Sequence, residues 1–290
     1  MAGAGTRHDR RVRSWVRDHA VLTYALLAYG SSWAWWVPML VRGDVVRRGD
    51  GWPTHLPGLL GPAVAAVVVT VVIEGRPGVA ELGARVVRWR VGWSWWLLVA
   101  GTAALALLGL VVPLLTGDDI PGLQAFSRYS GMGELGLAGM LVVAFVVNGL
   151  GEETGWRGFA VERLLARRGL TATAVVVGAL WAGWHLPLFW INDSFRSFGA
   201  LGILGWTIGL AAGSVVLTWI YRGAGHSVLL AAAWHTAFNL TSATEATGDV
   251  VPAISSTLVI VVAVAVVRRD RGRTRRSDRT PHGGRTSRRG

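Results

Sequence analysis

Two adjacent carboxylates stand inside an apolar stretch of the sequence. Glu153 is followed four residues later by Arg157, and apolar or glycine residues flank the group within residues 136–161. On a helix, the order Glu153 then Arg157 favours an ion pair between the two side chains. Glu152 has no such partner at this spacing, and a buried carboxylate of this kind can take a proton from water.

Two histidines interrupt other apolar stretches. His185 follows Trp181 by four residues, and His235 precedes Asn239 by four residues. An imidazole can accept or donate a proton or bind a metal ion, and an amide can donate a hydrogen bond to an oxyanion. One such residue alone most simply forms a hydrogen bond between membrane helices, but the whole set together predicts a catalytic site.

The composition is that of a membrane protein. Of the 290 residues, 52% are hydrophobic and 16% are charged, whereas soluble domains carry about 25% charged residues. The 29 basic residues are all arginine, and ten of them lie in the tail after residue 267, so the net charge of +12 does not indicate nucleic-acid binding. The absence of cysteine excludes disulfides, thiolate nucleophiles and thiolate metal ligands.

The chain contains eight apolar runs, each near the ~20 residues that a helix needs to cross a bilayer. They cover residues 20–41, 52–73, 91–115, 136–161, 170–190, 198–220, 226–245 and 250–267. Because helices satisfy their own backbone hydrogen bonds in lipid, the sequence predicts an all-α, polytopic membrane protein with about eight transmembrane helices. We expect a cytoplasmic segment over 1–19, a membrane-embedded domain over 20–267 and a basic, disordered cytoplasmic tail over 268–290.

Arginine is unevenly distributed among the segments that connect these runs. It clusters in the N-terminal segment, in residues 74–90 and 151–169, and in the tail, all of which share one side of an alternating topology. Because arginine is retained on the cytoplasmic side, we expect a multi-pass protein of the cell membrane with both termini in the cytoplasm.

The candidate residues on three runs are expected to lie at a similar depth. In an antiparallel hairpin that turns at residues 167–169, Glu152 and His185 are equally far from the turn. His235 and Asn239 share one helical face at a similar depth. Four glycines flank the acidic pair and are expected to leave room for a cavity open to the cytoplasm: Gly149, Gly151, Gly155 and Gly158.

The motifs resemble those of the CPBP intramembrane proteases, which include type II CAAX prenyl endopeptidases and bacteriocin-processing or self-immunity (Abi-like) proteins. The second motif more usually begins with Phe, and the resemblance covers about residues 130–245. The matching segments, in order, are Glu152-Glu153-x-x-x-Arg157-Gly158, Trp181-x-x-x-His185 and His235-x-x-x-Asn239.

The resemblance implies an intramembrane endopeptidase. It would hydrolyse a peptide bond of a membrane-associated protein or peptide within the lipid bilayer, with no nucleic-acid partner. The residues implied as catalytic are Glu152, His185, His235 and Asn239, with Glu153 and Arg157 supporting them.

Two mechanisms fit these side chains. In one, His185, His235 and Glu152 hold Zn²⁺, which activates a bound water. In the other, no metal is needed: Glu152 takes a proton from a water held jointly with His185, while His235 and Asn239 donate to the oxyanion. The motif spacing leaves both open.

Functions of another class are compatible with the same residues. A non-catalytic immunity factor or scaffold could use the polar cluster to bind a bacteriocin or a membrane partner. A proton-coupled transporter would also need buried carboxylate and histidine, but the sequence has no visible internal repeat. The substitution Glu152→Gln separates an enzyme from a binder, because it keeps the shape of the side chain and removes the base.

Overall fold

The computed structural model describes the backbone of residues 7–277 and the side chains of residues 10–272. Within this part of the chain the regular secondary structure is helical, and extended segments pair only through isolated bridges, Val46 with Asn192 and Arg48 with Ser130. The predicted all-α fold class is therefore confirmed.

Apart from the polar N-terminal helix, the main helices follow the apolar runs of the sequence. Two one-turn helices, Leu188–Ile191 and Asp193–Arg196, lie in the connection between the sixth and seventh main helices. The main helices are α1 (Arg7–Asp18), α2 (Ala20–Arg42), α3 (Gly61–Val86), α4 (Trp93–Thr116), α5 (Gly136–Leu165), α6 (Leu170–Trp184), α7 (Ala200–Gly223), α8 (Val228–Ser242) and α9 (Val250–Ser277).

The protein is a multi-pass membrane protein. Among the described residues, five helical segments are long and apolar enough to cross a bilayer: Leu56–Val86, Trp93–Thr116, Gly136–Leu165, Ala200–Gly223 and Val250–Gly272. The expected count of about eight is not confirmed. The helices α6 and α8 have 15 residues each, which gives ~22 Å at ~1.5 Å per residue against a hydrocarbon core of ~30 Å.

Residues 74–90, 162–171 and 222–227 meet at one end of the bundle, which we call the arginine end. Arg163 forms an ion pair with Glu74 at 2.5 Å, and the Ser227 hydroxyl donates to the Arg88 carbonyl at 2.5 Å. The N-terminal helix reaches the same end, since Arg13 and Arg17 donate to the carbonyl oxygen of Ile73. The segments that the sequence places on one side of the membrane are therefore packed together.

Residues 44–55, 126–132 and 188–196 meet at the opposite end, which we call the cap end. The amide of Val46 donates to the Ile191 carbonyl at 2.8 Å, and the Asn192 side chain donates to the Ser130 hydroxyl at 2.9 Å. These contacts join three connections that are far apart in sequence, as a topology with alternating crossings requires.

The helix α3 changes direction at Gly75. This residue has a φ of 68° and a ψ of −156°, a combination that only glycine adopts readily. The part of α3 after Gly75 carries the arginine-rich segment and lies at the arginine end.

The last helix continues past the boundary expected at residue 267. The helix α9 runs to Ser277, so the first part of the predicted disordered tail is helical. The expectation for residues 278–290 lies outside the described residues.

Candidate active site

The helix that carries the acidic pair is not a regular α-helix. Residues Ala144–Leu150 and Trp156–Val161 of α5 are π-helical, and the single α-helical turn Gly151–Gly155 lies between them. Such π-helical turns are rare in proteins overall, and where they occur they are often at functional sites. The irregular turns place Glu152 and Glu153 inside the bundle, where both side chains are buried.

Glu152 is held by an indole from the neighbouring helix α6. The Nε1–H group of Trp181 donates to Oε2 of Glu152 at 2.7 Å, and both side chains are buried. A hydrogen bond to a carboxylate is stronger than one between neutral groups, so this contact fixes the carboxylate in one orientation.

His185 lies directly after the end of α6 and is oriented by the same tryptophan. Its Nδ1 is 2.7 Å from the carbonyl oxygen of Trp181. Since a carbonyl can only accept, Nδ1 carries the hydrogen, and Nε2 of the neutral ring keeps its lone pair. His185 can therefore accept a hydrogen bond from a water or bind a metal through Nε2.

His235, on α8, is held by the second carboxylate. Its Nδ1 is 2.8 Å from Oε1 of Glu153, and the same oxygen accepts from Arg157 at 3.0 Å. Both members of the Glu153–Arg157 pair are completely buried. The guanidinium of Arg157 also lies over the ring of Trp181, 4.7 Å from its centroid, a favourable cation–π geometry.

Asn239 is the least constrained of the predicted site residues. It lies one turn after His235 on α8 and is half-buried.

The structure brings Glu152, His185 and His235 around Trp181. The ring of Trp181 also packs edge-on against that of His235, with 5.5 Å between the ring centroids. From the sequence, Trp181 is predictable only as the aromatic residue of its motif. The spacing of the motif indicates that position but not the partner of its N–H group.

The site lies near the middle of the bundle. Trp184, next to His185, donates from its indole to the Ser32 hydroxyl of α2 at 2.8 Å. Counted along α2, Ser32 is ~18 Å from Ala20 and ~15 Å from Arg42 at ~1.5 Å per residue. The polar cluster is therefore roughly equidistant from the arginine end and the cap end.

The prediction that the glycines around the acidic pair leave room for a cavity is wrong. A Cβ atom added at Gly155 would lie 2.4 Å from the Tyr24 hydroxyl and 2.5 Å from the Pro62 carbonyl oxygen. A Cβ atom at Gly149 would lie 2.8 Å from the hydroxyl of Thr236. These glycines let α2, α3 and α8 approach α5 closely, so they serve packing between helices.

The side chains proposed as zinc ligands do not form a metal cluster. Among the described residues, no three His, Asp or Glu side chains are arranged closely enough to hold a metal ion. The carboxylate of Glu152 accepts a hydrogen bond from Trp181. The carboxylate that bonds to His235 is that of Glu153. As arranged, His185, His235 and Glu152 do not fit a three-ligand zinc site.

Residues 134–241 match a family model described as type II CAAX prenyl endopeptidase, Rce1-like. The chain is also similar to CAAX prenyl protease 2 of Methanococcus maripaludis, with 27% identity over 128 residues. Residues 134–241 are thus similar to type II CAAX prenyl endopeptidases of the CPBP family. This confirms the resemblance inferred from the motifs, and all six predicted site residues lie within the matched segment.

The similarity to the archaeal relative is partial. The aligned residues are 41% of this chain and 46% of the relative, so the chain spans less than half of that protein's length. The match to the family model covers α5 to most of α8, the helices that carry the polar cluster, and leaves α1 to α4 and α9 outside it.

Proposed function

We propose that this protein is an intramembrane endopeptidase that cleaves a membrane-associated protein or peptide. The observation that carries the proposal is the buried cluster around Trp181, in which one carboxylate and two imidazoles are held in fixed orientations. Ionisable groups at mid-depth of a membrane bundle are costly and mark functional sites. The family match supports the same activity.

In the proposed reaction, Glu152 acts as the general base. It takes a proton from a water molecule, whose oxygen attacks the carbonyl carbon of the scissile peptide bond. The Nε2 lone pair of His185 accepts the second hydrogen bond of that water, because its Nδ1–H is directed to the Trp181 carbonyl. Glu152 then returns the proton to the leaving amine.

His235 and Asn239 stabilise the oxyanion in this proposal. The carboxylate of Glu153 accepts the Nδ1–H of His235 and so stabilises an imidazolium, which can donate from Nε2 to the developing negative charge. Arg157 balances the charge of Glu153 and holds it in place. Asn239 is half-buried on the same face of α8 and supplies a second donor from its amide.

No step of the proposed reaction uses a metal ion. The zinc alternative predicts about one zinc per purified chain, lost together with activity in His235→Ala. The metal-free mechanism predicts that His235→Ala and Asn239→Ala each lower kcat by roughly 10²–10³. Elemental analysis of the purified wild type and His235→Ala separates the two, and stoichiometric zinc would replace the mechanism while leaving the endopeptidase proposal standing.

The first substrate class to examine is a C-terminal CAAX peptide with a prenylated cysteine, since the printed names of the family and of the archaeal relative describe CAAX prenyl proteases. A fluorogenic peptide of this kind in detergent or nanodiscs gives a direct assay. Membrane proteomics extends the search to substrates without a prenyl group.

The deciding experiment compares Glu152→Gln with the wild type. Peptides with new termini should appear in membrane fractions of cells that express the wild type and should be lost with Glu152→Gln, with a rate lower by roughly 10²–10⁴. Glu134→Gln is the matched control because Glu134 is an exposed carboxylate. Equal cleavage by both variants, with equal amounts of folded protein, would contradict the proposal.

A further inference from the structure

A groove opens on the outside of the bundle, away from the polar cluster. It lies where the first turn of α6, the last turn of α7 and the C-terminal half of α9 meet, and it has a volume of about 560 Å³. This volume is within the ~300–1,000 Å³ of small-molecule sites. The groove belongs to the face that a lipid bilayer would surround.

The lining of the groove changes from apolar to basic along one direction. On α9, Val262, Val266 and Arg269 line it at a spacing of four and three residues, which places them on one helical face. On α7, Trp219 is followed by Arg222 one turn later. Both sides therefore have an apolar part toward the membrane interior and a guanidinium at the arginine end.

Both guanidinium groups are exposed at the mouth of the groove. Asp270 lies at the same end, but its Oδ2 accepts hydrogen bonds from the backbone N–H and the hydroxyl of Thr171, at 3.1 and 2.8 Å. This carboxylate is thereby directed toward the first turn of α6. Arg222 and Arg269 supply the positive charge at the mouth.

We propose that this groove binds one phospholipid with an anionic headgroup. The phosphate pairs with the guanidiniums of Arg222 and Arg269, because the arginine fork matches phosphate oxygens. The part of an acyl chain nearest the headgroup lies against Val262, Val266 and Trp219. Basic pockets between membrane helices recognise lipid headgroups on these terms, and the proposal is independent of the proteolytic function.

The test uses the purified full chain, stripped of lipid in detergent. Phosphatidylglycerol and phosphatidylcholine are added in parallel, and bound lipid is counted by native mass spectrometry together with the unfolding temperature. We expect phosphatidylglycerol to bind more tightly than phosphatidylcholine. Replacing both Arg222 and Arg269 with Gln should weaken the binding of phosphatidylglycerol roughly thirtyfold, because each arginine contributes somewhat less than a tenfold change in affinity.

Two further comparisons test whether the groove itself binds the lipid. Arg268→Gln removes a neighbouring exposed arginine that does not line the groove, and it should leave lipid binding unchanged. Val262→Trp fills the apolar wall and keeps both arginines, so it should also weaken binding, whereas Val264→Trp on the exposed face should not. The second pair remains informative if the double arginine variant fails to fold.

Three outcomes would overturn the proposal. Equal binding of both lipids would show that the headgroup charge is not recognised. A loss of binding free energy per charge removed that is the same in the double arginine variant and in Arg268→Gln would show that binding follows net charge. An unfolding shift with sodium phosphate alone that matches the shift with phosphatidylglycerol, and that Val262→Trp leaves intact, would indicate a phosphate site without a lipid chain.

Discussion

Trp181 differs from the phenylalanine that is more usual in its motif by an indole N–H group that here contacts Glu152. Trp181→Phe keeps an aromatic ring beside Arg157 and His235 but removes the donor. Since hydrogen bonds to charged groups contribute about 1.5–3 kcal/mol, we expect kcat to fall roughly tenfold to a hundredfold with KM nearly unchanged. The measurement is cleavage of the peptide probe by folded protein.

Trp190→Phe is the control for Trp181→Phe, because Trp190 is an exposed tryptophan on the same stretch of chain. It should leave kcat unchanged. A Trp181→Phe variant as active as the wild type would show that the indole does not position Glu152. A parallel loss of folded protein in Trp181→Phe would instead assign the residue to packing.

Arg157 is completely buried and its ion pair with Glu153 is the contact that keeps this carboxylate compensated. Arg157→Ala removes one of the two partners of the buried Glu153 carboxylate, Arg157 and His235, and breaking a buried ion pair in this way costs about 3–5 kcal/mol. We expect a large loss of folded, monodisperse protein in size-exclusion profiles of the solubilised membranes. Arg196→Ala, at an exposed position, should give a wild-type profile, and equal profiles for both variants would rule out a supporting role for Arg157.

At the level of single residues, the sequence predicted that Glu152, His185 and His235 lie in one region, but not that Trp181 contacts all three. Ionisable groups in apolar runs are so costly that they are expected to pair with one another inside the bundle. By contrast, the bond from Trp181 to Glu152 depends on the relative rotation of α5 and α6. That rotation is set by packing between the helices, which the period of either sequence segment does not contain.

At the level of helices, the close approach of α2 and α3 to α5 depends on Gly155. Gly155→Ala would place a methyl group 2.4 Å from the Tyr24 hydroxyl and 2.5 Å from a backbone carbonyl of Pro62. Overpacking of this kind costs about 1–3 kcal/mol. We therefore expect a lower unfolding temperature in detergent.

Gly209→Ala provides the opposite case within a helix of the same protein. A Cβ atom at Gly209 of α7 meets nothing within 4 Å. Since alanine favours a helix over glycine by about 1 kcal/mol, this variant should be as stable as the wild type or slightly more stable. A Gly155→Ala variant that also unfolds at or above the wild-type temperature would contradict the packing role.

The positions of the helices were largely predictable, but their internal geometry was not. Each apolar run corresponds to a helix because a chain in lipid must satisfy its backbone polar groups internally. The π-helical turns of α5 and the break at Gly75 were missed, since both depend on contacts with neighbouring helices. The same contacts explain why the glycines around Glu152 pack rather than open a cavity.

For the whole molecule, the two groups of connections define two ends with different charge. The arginine end gathers the arginine-rich connections and receives α1 through Arg13 and Arg17, and α9 through Asp270 and Thr171. The described parts of both terminal helices therefore reach the same end of the bundle. Which side of the membrane this end faces is a prediction from the distribution of arginine.

The orientation can be measured with reporters inserted into the full chain. Insertions after Asp119 and after Gly248 lie in connections that do not belong to the arginine end, whereas an insertion after Gly169 lies at that end. If arginine is retained in the cytoplasm, the first two reporters should be outside and the third inside. Because Ser32, beside the polar cluster, is ~18 Å from one end of α2 and ~15 Å from the other, the proposed cleavage requires the scissile bond to reach mid-membrane in either orientation. A reporter after Asp119 or Gly248 found inside the cell would show that the arginine end faces outward or that the crossings do not alternate.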